Sequence, residues 1–543
     1  MSIFHFMGPV TSTEPGGKPV SCCVNDANAI AFSGGHYHVF TQDKFQFAHY
    51  RSKDLVRWER RPIALPRPAW DGALSLLPPD DGGAVILYDL PPEPSNLAMA
   101  RIAANATHPA DLEAWDTYVG GAPLTIDWSA VEPSIQKPDS PTCCSPSGGS
   151  IPPCTTPVKP PHCKGLFFPG PIWKDLNGQL NFLATIFLNN ASWRQRIGRF
   201  VATNHTLHHW KLADPYFAGG RFSEHDGAWL LPVPGSGVEP GDSGRYLLNA
   251  GGGDEFVLGD YDGRSNTFTN TSAVQRMDFG LYSADWTAVG RANGRVLTVG
   301  WLSNYRTGVP VPQNNMSRLS LLRELHYDRD TDSLRVLPVA ELEGLRNGSL
   351  TPPGGVHAML RGNDTLVLVH PEGDGAVTAD LEVSFSLGDD LSVGASFGAA
   401  AFCPSGAGVD LCTRVTLDVS PGGLTSTMSI STPTTMYATA HNFTSAPFPL
   451  HGRRLNLRLI TDRAVVEAYS GSPVTTLSTR STRSTRNTRS ANVSGFDAVG
   501  QAAVVALSFP PFGATGMKVF AVSGEVEVEA KVWTMGCGWV DGS

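Results

Sequence analysis

The stretch Asn25-Asp26-Ala27-Asn28-Ala29 sets one aspartate between two asparagines, just ahead of the run His36-Tyr37-His38-Val39-Phe40. A carboxylate held by amide side chains is a candidate nucleophile, able to form a covalent intermediate. Asn and Asp also populate polar turns, so the tetrapeptide alone marks a place rather than a reaction. Other carboxylates recur beside aromatic residues. Asp71 stands in Trp70-Asp71-Gly72-Ala73, Glu224 and Asp226 precede Trp229, and Glu255 opens an apolar run. Each is more readily a solvated or turn residue. Two such carboxyl groups could divide the work of nucleophile and general acid, and the acid would hold its proton near neutral pH only in surroundings that raise its pKa.

The elements that must carry these residues read as short strands. From residue 30 to about 340, apolar runs alternate with Gly, Pro, Asn and Asp: His36–Gln42, Gly83–Tyr88, Leu180–Phe187, Arg245–Asn249, Phe256–Tyr261 and Arg295–Trp301. Asn177-Gly178, Asp262-Gly263 and Asn293-Gly294 supply the hairpin chemistry. Such a meander suits a propeller of four-stranded sheets, although periodicity does not fix the number of blades. Pro338–Arg346 reads as a short helical or turn linker. Beyond it, Leu381–Leu387, Arg414–Val419, Leu455–Ile460 and Ala464–Tyr469 alternate as strands of a separate β-sandwich. The expected division is a propeller at 1–340, a linker at 341–354 and a sandwich at 355–543.

Composition agrees. Gly 57 and Pro 42 make up about 18% of 543 residues, against roughly 12% in average proteins, favouring tight turns over long helices. A formal charge of −9 argues against nucleic acid or an anionic membrane as partner, and suits a neutral, hydroxyl-rich ligand. No apolar run approaches the roughly 18 residues that span a bilayer. The opening Met1–Met7 lacks the basic and apolar regions of a secretory signal. Nine N-x-S/T tripeptides nevertheless lean toward a secreted or vacuolar protein.

Nine cysteines leave at least one unpaired within the chain. Cys143, Cys144, Cys154 and Cys163 fall in the Pro/Ser-rich segment 138–165, which reads as a disulfide-stapled exposed loop, with a zinc site as the alternative. Cys403 and Cys412 are spaced to close a short loop. Arg480, Arg483, Arg486 and Arg489 recur through Ser478–Ser490, a solvated low-complexity tract. Gly251-Gly252-Gly253 lacks the Lys-Ser/Thr of a phosphate loop.

Several motifs in a fixed order resemble glycoside hydrolase family 32. After Asn25–Asn28 come His49-Tyr50-Arg51-Ser52-Lys53-Asp54-Leu55-Val56-Arg57-Trp58, Pro62-Ile63-Ala64-Leu65 and Trp70-Asp71-Gly72-Ala73, the last with Asp71 in place of a serine. Further on stand Gly259-Asp260-Tyr261-Asp262, Asp278-Phe279-Gly280, Gly300-Trp301, Arg323-Glu324-Leu325 and Asp462-Arg463-Ala464-Val465-Val466-Glu467. The resemblance implies an all-β fold, a five-bladed β-propeller followed by a C-terminal β-sandwich. It also implies a β-fructofuranosidase acting on sucrose or fructans by retaining hydrolysis, with no metal or organic cofactor. Asp26 takes the nucleophile's position. Asn25, Asn28, Gln42, Trp70, Asp71 and Trp229 are the substrate-binding candidates.

Two positions depart from the family pattern. Its R-D-P motif falls at Pro169-Gly170-Pro171, without the arginine or the stabilising aspartate. Its W-E-C-P motif falls at Trp229-Leu230-Leu231-Pro232, where leucine replaces the acid/base glutamate. Leucine transfers no proton. A catalytically impaired carbohydrate-binding relative is therefore the alternative expectation.

Overall fold

The computed structural model describes residues 24–43, 46–66, 68–90, 96–117, 123–129, 164–188, 194–217, 228–251, 255–280, 282–302, 318–329, 331–370, 378–434, 441–462, 465–473, 498–507 and 514–536, plus a two-residue pairing of 12–13 with 19–20. Among them nearly every regular element is a strand, and the few helical turns are short 3-10 segments.

Beyond that two-residue pairing, the first half contains five sheets among the described residues, following one another along the chain. The first holds Val24–Ser33, His36–Asp43, Phe47–Ser52 and Trp58–Leu65. The second runs from Gly72–Leu76 to Trp115–Thr117, and the third is built on Leu180–Leu188, Arg194–Ala202 and His209–Asp214. The fourth opens at Leu230–Pro232 and the fifth at Tyr282–Ala292. Neighbours pair antiparallel, save Thr125–Asp127, which lies parallel to His209–Asp214. These strands contain the runs expected from the sequence, except that Gly83 stays in the turn before Ala84–Leu90, and extend them by one to three residues.

Alternation along each strand gives every sheet two apolar faces, and each face packs on the next sheet. Ala29, Phe40 and Phe47 of the first sheet meet Ile86, Tyr88 and Ala98 of the second. Val85, Leu87 and Met99 then meet Phe182, Ile186 and Phe200 of the third. Leu183 and Ile197 face Leu230, Tyr246 and Leu248 of the fourth, and Leu247 and Leu258 face Val289 and Val296 of the fifth. Leu297 and Val299 return to Val24, Ile30 and Val39 of the first sheet. The sequence of interfaces ends where it began. At that closure Gly290 lies so near the first sheet that a Cβ would sit 2.3 Å from the Ile30 carbonyl oxygen, so only glycine fits.

Residues 340–345 form a 3-10 helix that buries Leu342 and Leu345. Arg346–Ser349 then pairs with Glu525–Met535 at the edge of the first of two seven-stranded sheets. Their shared core includes Leu381, Phe385, Phe397, Leu417, Met428, Leu457, Val519 and Val528. Thr425–Thr432 buries every second residue, as expected of a strand with one face in that core. Cys403 and Cys412 form a disulfide here. The cysteine-rich 143–163 cluster, Glu224, Asp226 and the arginine repeat lie outside the described residues.

Candidate active site

Asn25–Asn28 does not form a turn at the mouth of a strand. It lies inside Val24–Ser33, and the turn comes later, at Gly34-Gly35. The pairing with His36–Asp43 slips twice in succession: Val24 opposes Asp43, Ala27 opposes Thr41, and Ala29 opposes Phe40. Each slip inserts one extra residue, the signature of a β-bulge, which re-aims side chains and is common beside active sites. Asp26 is 4% exposed, and Asn28 is also buried. The Asn25 side chain lies outside the described residues. Gln42 is buried near the end of the partner strand.

From Asn28 a line of contacts crosses to the next sheets. Asn28 Nδ2 donates to the Trp70 carbonyl at 3.4 Å. Trp70 N–H donates to Asp89 O, and Asp89 N–H to Asp71 O, which fastens the Trp-Asp-Gly segment onto the second sheet. Asp71 is 6% exposed and Trp70 is half-buried. The Asp89 carboxylate accepts the Phe168 N–H at 3.1 Å, tying the second sheet to the loop entering the third. That loop reaches the fourth sheet at Ala228-Trp229, where the Trp229 carbonyl accepts the Asn249 N–H at 2.9 Å. The segments carrying Asn28, Trp70, Asp71 and Trp229 are thus strung across successive sheets. Asp89 was not singled out from sequence. The one available signal was an aspartate ending the apolar run Val85-Ile86-Leu87-Tyr88.

The side where a proton donor would be expected is apolar. Leu230 packs with Ala228, Leu183 and Tyr246 between the third and fourth sheets, and Leu231 packs with Val233 and Leu247 on the other face. Gly170 donates its N–H to Leu183 O at 2.7 Å, and a Cβ there would lie 1.9 Å from the Ala228 carbonyl oxygen. No side chain fits at residue 170 while these backbones stay where they are. Glu255 is partly exposed beside Arg276, in an ion pair 4.0 Å long. No cluster of three or more His, Cys, Asp or Glu side chains suited to a metal ion occurs among the described residues.

Other matched motifs converge elsewhere. Arg323, wholly buried, donates to Asp278 at 2.7 Å and to Glu467 at 2.8 Å. Glu467 also accepts the Leu321 N–H and the Tyr469 hydroxyl. Burial pushes the Asp278 carboxyl up from its ordinary value, and Arg323 opposes that push. This cluster joins the fifth sheet to a strand of the C-terminal sheets. It is a structural junction.

Comparison with known proteins follows this geometry. A family model described as "Glycosyl hydrolases family 32 N-terminal domain" matches residues 207–338. A levanase of Bacillus sp. (strain L7) is 23% identical over 490 residues, covering 83% of this chain and 47% of the levanase. An insoluble β-fructofuranosidase isoenzyme of Arabidopsis thaliana is 24% identical over 406 residues, covering 68% of this chain and 66% of its own. The crystal structure of fructan 1-exohydrolase IIa from Cichorium intybus superposes with a TM-score of 0.70 at 18% identity, covering 99% of this chain and 98% of that one. The chain resembles glycoside hydrolase family 32. At this identity the superposition establishes a shared fold, nearly all β. The chain spans about half the length of the levanases it matches and about two thirds of the plant enzymes.

Proposed function

We propose that this chain carries a β-fructofuranosidase-type site that recognises terminal fructofuranosyl units, as in sucrose or fructans. The observation that carries the reading is the doubly bulged strand that buries Asp26 and Asn28 and links Asn28 to the Trp70-Asp71 segment. Asp26 is the candidate nucleophile. Asn25, Asn28, Gln42, Trp70, Asp71 and Trp229 are the candidate sugar contacts, the aromatic rings by stacking and the amides by hydrogen bonding. The names of relatives, which include levanase, invertase and exo-inulinase, support the substrate class. In this reading the five sheets are five blades of a propeller spanning 1–340, followed by a linker at 341–354 and a sandwich at 355–543.

Retaining hydrolysis would proceed by Asp26 attacking the anomeric carbon while an acid protonates the departing oxygen. Water would then release the fructosyl unit. Gly170 and Leu230 favour a weakened version of this chemistry, because neither matched position offers a carboxyl group. Loss of a general acid typically costs 10²–10⁴-fold in rate. The expectation is measurable sugar binding with slow turnover.

Calorimetry with sucrose, inulin and levan, beside product assays for the native chain and Asp26→Asn, tests both parts. Binding by the native chain, with residual turnover abolished by the substitution, is the expected result. Absence of binding to all three sugars removes the reading. Brisk turnover indifferent to Asp26 removes its assigned role. A secreted or vacuolar location is part of the proposal. It is supported by the Cys403–Cys412 disulfide and by relatives named as cell wall and extracellular enzymes.

A further inference from the structure

We propose that Asp89 is a positioning residue for the sugar site: its carboxylate holds residues 168–172 in one strained conformation, and through that segment it sets the place of Trp229. This role rests on the β-fructofuranosidase-type reading above and falls to a residue which that reading does not use. Asp89 is wholly buried, next to last in the strand Ala84–Leu90.

The strain is local and visible. Phe168 directly follows the strand Lys164–Phe167 and has a φ of 51°. Left-handed backbone is uncommon for a bulky residue, and a residue that precedes proline is pushed toward extended conformations. Phe168 precedes Pro169, so its conformation is disfavoured on both counts. Such a residue persists only where its surroundings over-determine it. The Asp89 carboxylate supplies a constraint at that residue by accepting the Phe168 N–H at 3.1 Å.

The rest of the segment is fixed in the same manner. Gly170 N–H donates to Leu183 O at 2.7 Å, and Ile172 N–H donates to the Ser75 hydroxyl at 2.6 Å. Pro169 and Pro171 have no N–H. Every backbone donor from 168 to 172 is thus committed to the second or third sheet. Gly170 in turn abuts the carbonyl of Ala228, the residue before Trp229. The Asp89 main chain meanwhile accepts the Trp70 N–H and donates to Asp71 O. One residue therefore reaches the segments of three candidate sugar contacts, Trp70 and Asp71 through its main chain and Trp229 through its carboxylate. Only the last link is lost when the side chain is replaced.

The test titrates sucrose and inulin calorimetrically into the native full chain, Asp89→Asn, Asp89→Ala and Ser75→Ala, with a urea midpoint for each. Asparagine keeps an oxygen that can accept the Phe168 N–H, so Asp89→Asn should bind within about twofold of the native chain. Asp89→Ala should bind about 10- to 100-fold more weakly. In a double-mutant cycle, Trp229→Ala should weaken the native chain yet add little to Asp89→Ala, whereas Trp70→Ala should add in full. A folded Asp89→Ala that binds as the native chain does, or an Asp89→Asn as weak as Asp89→Ala, overturns the proposal. Should Asp89→Ala fail to fold, Ser75→Ala decides, because it frees the other end of the same segment: weaker binding supports the role and unchanged binding overturns it. Binding indifferent to these residues removes this role alone, while a native chain that binds neither sugar removes the reading beneath it as well.

Discussion

Position 170 decides more than its size suggests. In Gly170→Ala the new methyl would meet the Ala228 carbonyl oxygen at 1.9 Å, so the two loops must part. The expected cost is about 1–3 kcal/mol, the usual penalty of overpacking, read as a lower urea midpoint. An unchanged midpoint would mean the loops separate freely. Gly170→Asp should be costlier still and should not restore turnover. The departure of both family motifs was legible in the sequence as Gly170 and Leu230. The contact that makes the first departure self-reinforcing was not, because Ala228 is 58 positions away and carries no motif. Asp26 is legible as a candidate from its flanking asparagines and the ordered motifs downstream, yet its placement by two bulges depends on register with Thr41 and Asp43, which a single strand's pattern does not encode.

Two buried clusters govern how the elements hold. His38 Nε2 faces the Ser33 carbonyl, which can only accept, so that nitrogen bears the proton. His49 Nε2–H must then donate to His38 Nδ1, 2.8 Å away. Burial pushes His38 down to about 4 and His49 well below its ordinary value. The unfolded chain therefore takes up protons near pH 6.5 while the folded chain does not. Stability from this pair is complete above pH 6.5 and falls as pH drops toward 4, by about 3 kcal/mol for His38. Urea unfolding across that range should show the slope, and His38→Phe with His49→Phe should flatten it. An unaltered slope would put the titration elsewhere. Arg323 serves the second cluster. Arg323→Met removes the guanidinium that Asp278 and Glu467 share in the interior, and should cost about 3–5 kcal/mol. Arg323-Glu324-Leu325 was readable as a motif, but its partner Glu467 lies 144 residues on, so only the folded chain reveals what the motif does.

Across the whole molecule the two halves share a core. Ile460, Tyr469 and Met535 of the C-terminal sheets join Leu297, Trp301 and Val24 in one apolar cluster, beside the Arg323 junction. Calorimetry should therefore give one cooperative transition for the native chain and two for Arg323→Met; two in the native chain would contradict this coupling. The all-β class and most strands could be read from alternation and turn residues. The closing of the first sheet on the fifth could not, since no local pattern pairs residues so distant. That closure sets a schedule for the nascent chain. Tyr37 accepts a hydrogen bond from Asn293, 256 residues later. At about 5–20 residues per second, a ribosome needs roughly 13 to 50 seconds to bridge that interval. Throughout it Val24, Ile30 and Val39 lack their covering sheet, so the surroundings of Asp26 are among the last of the first half to be finished and the most dependent on protection during synthesis.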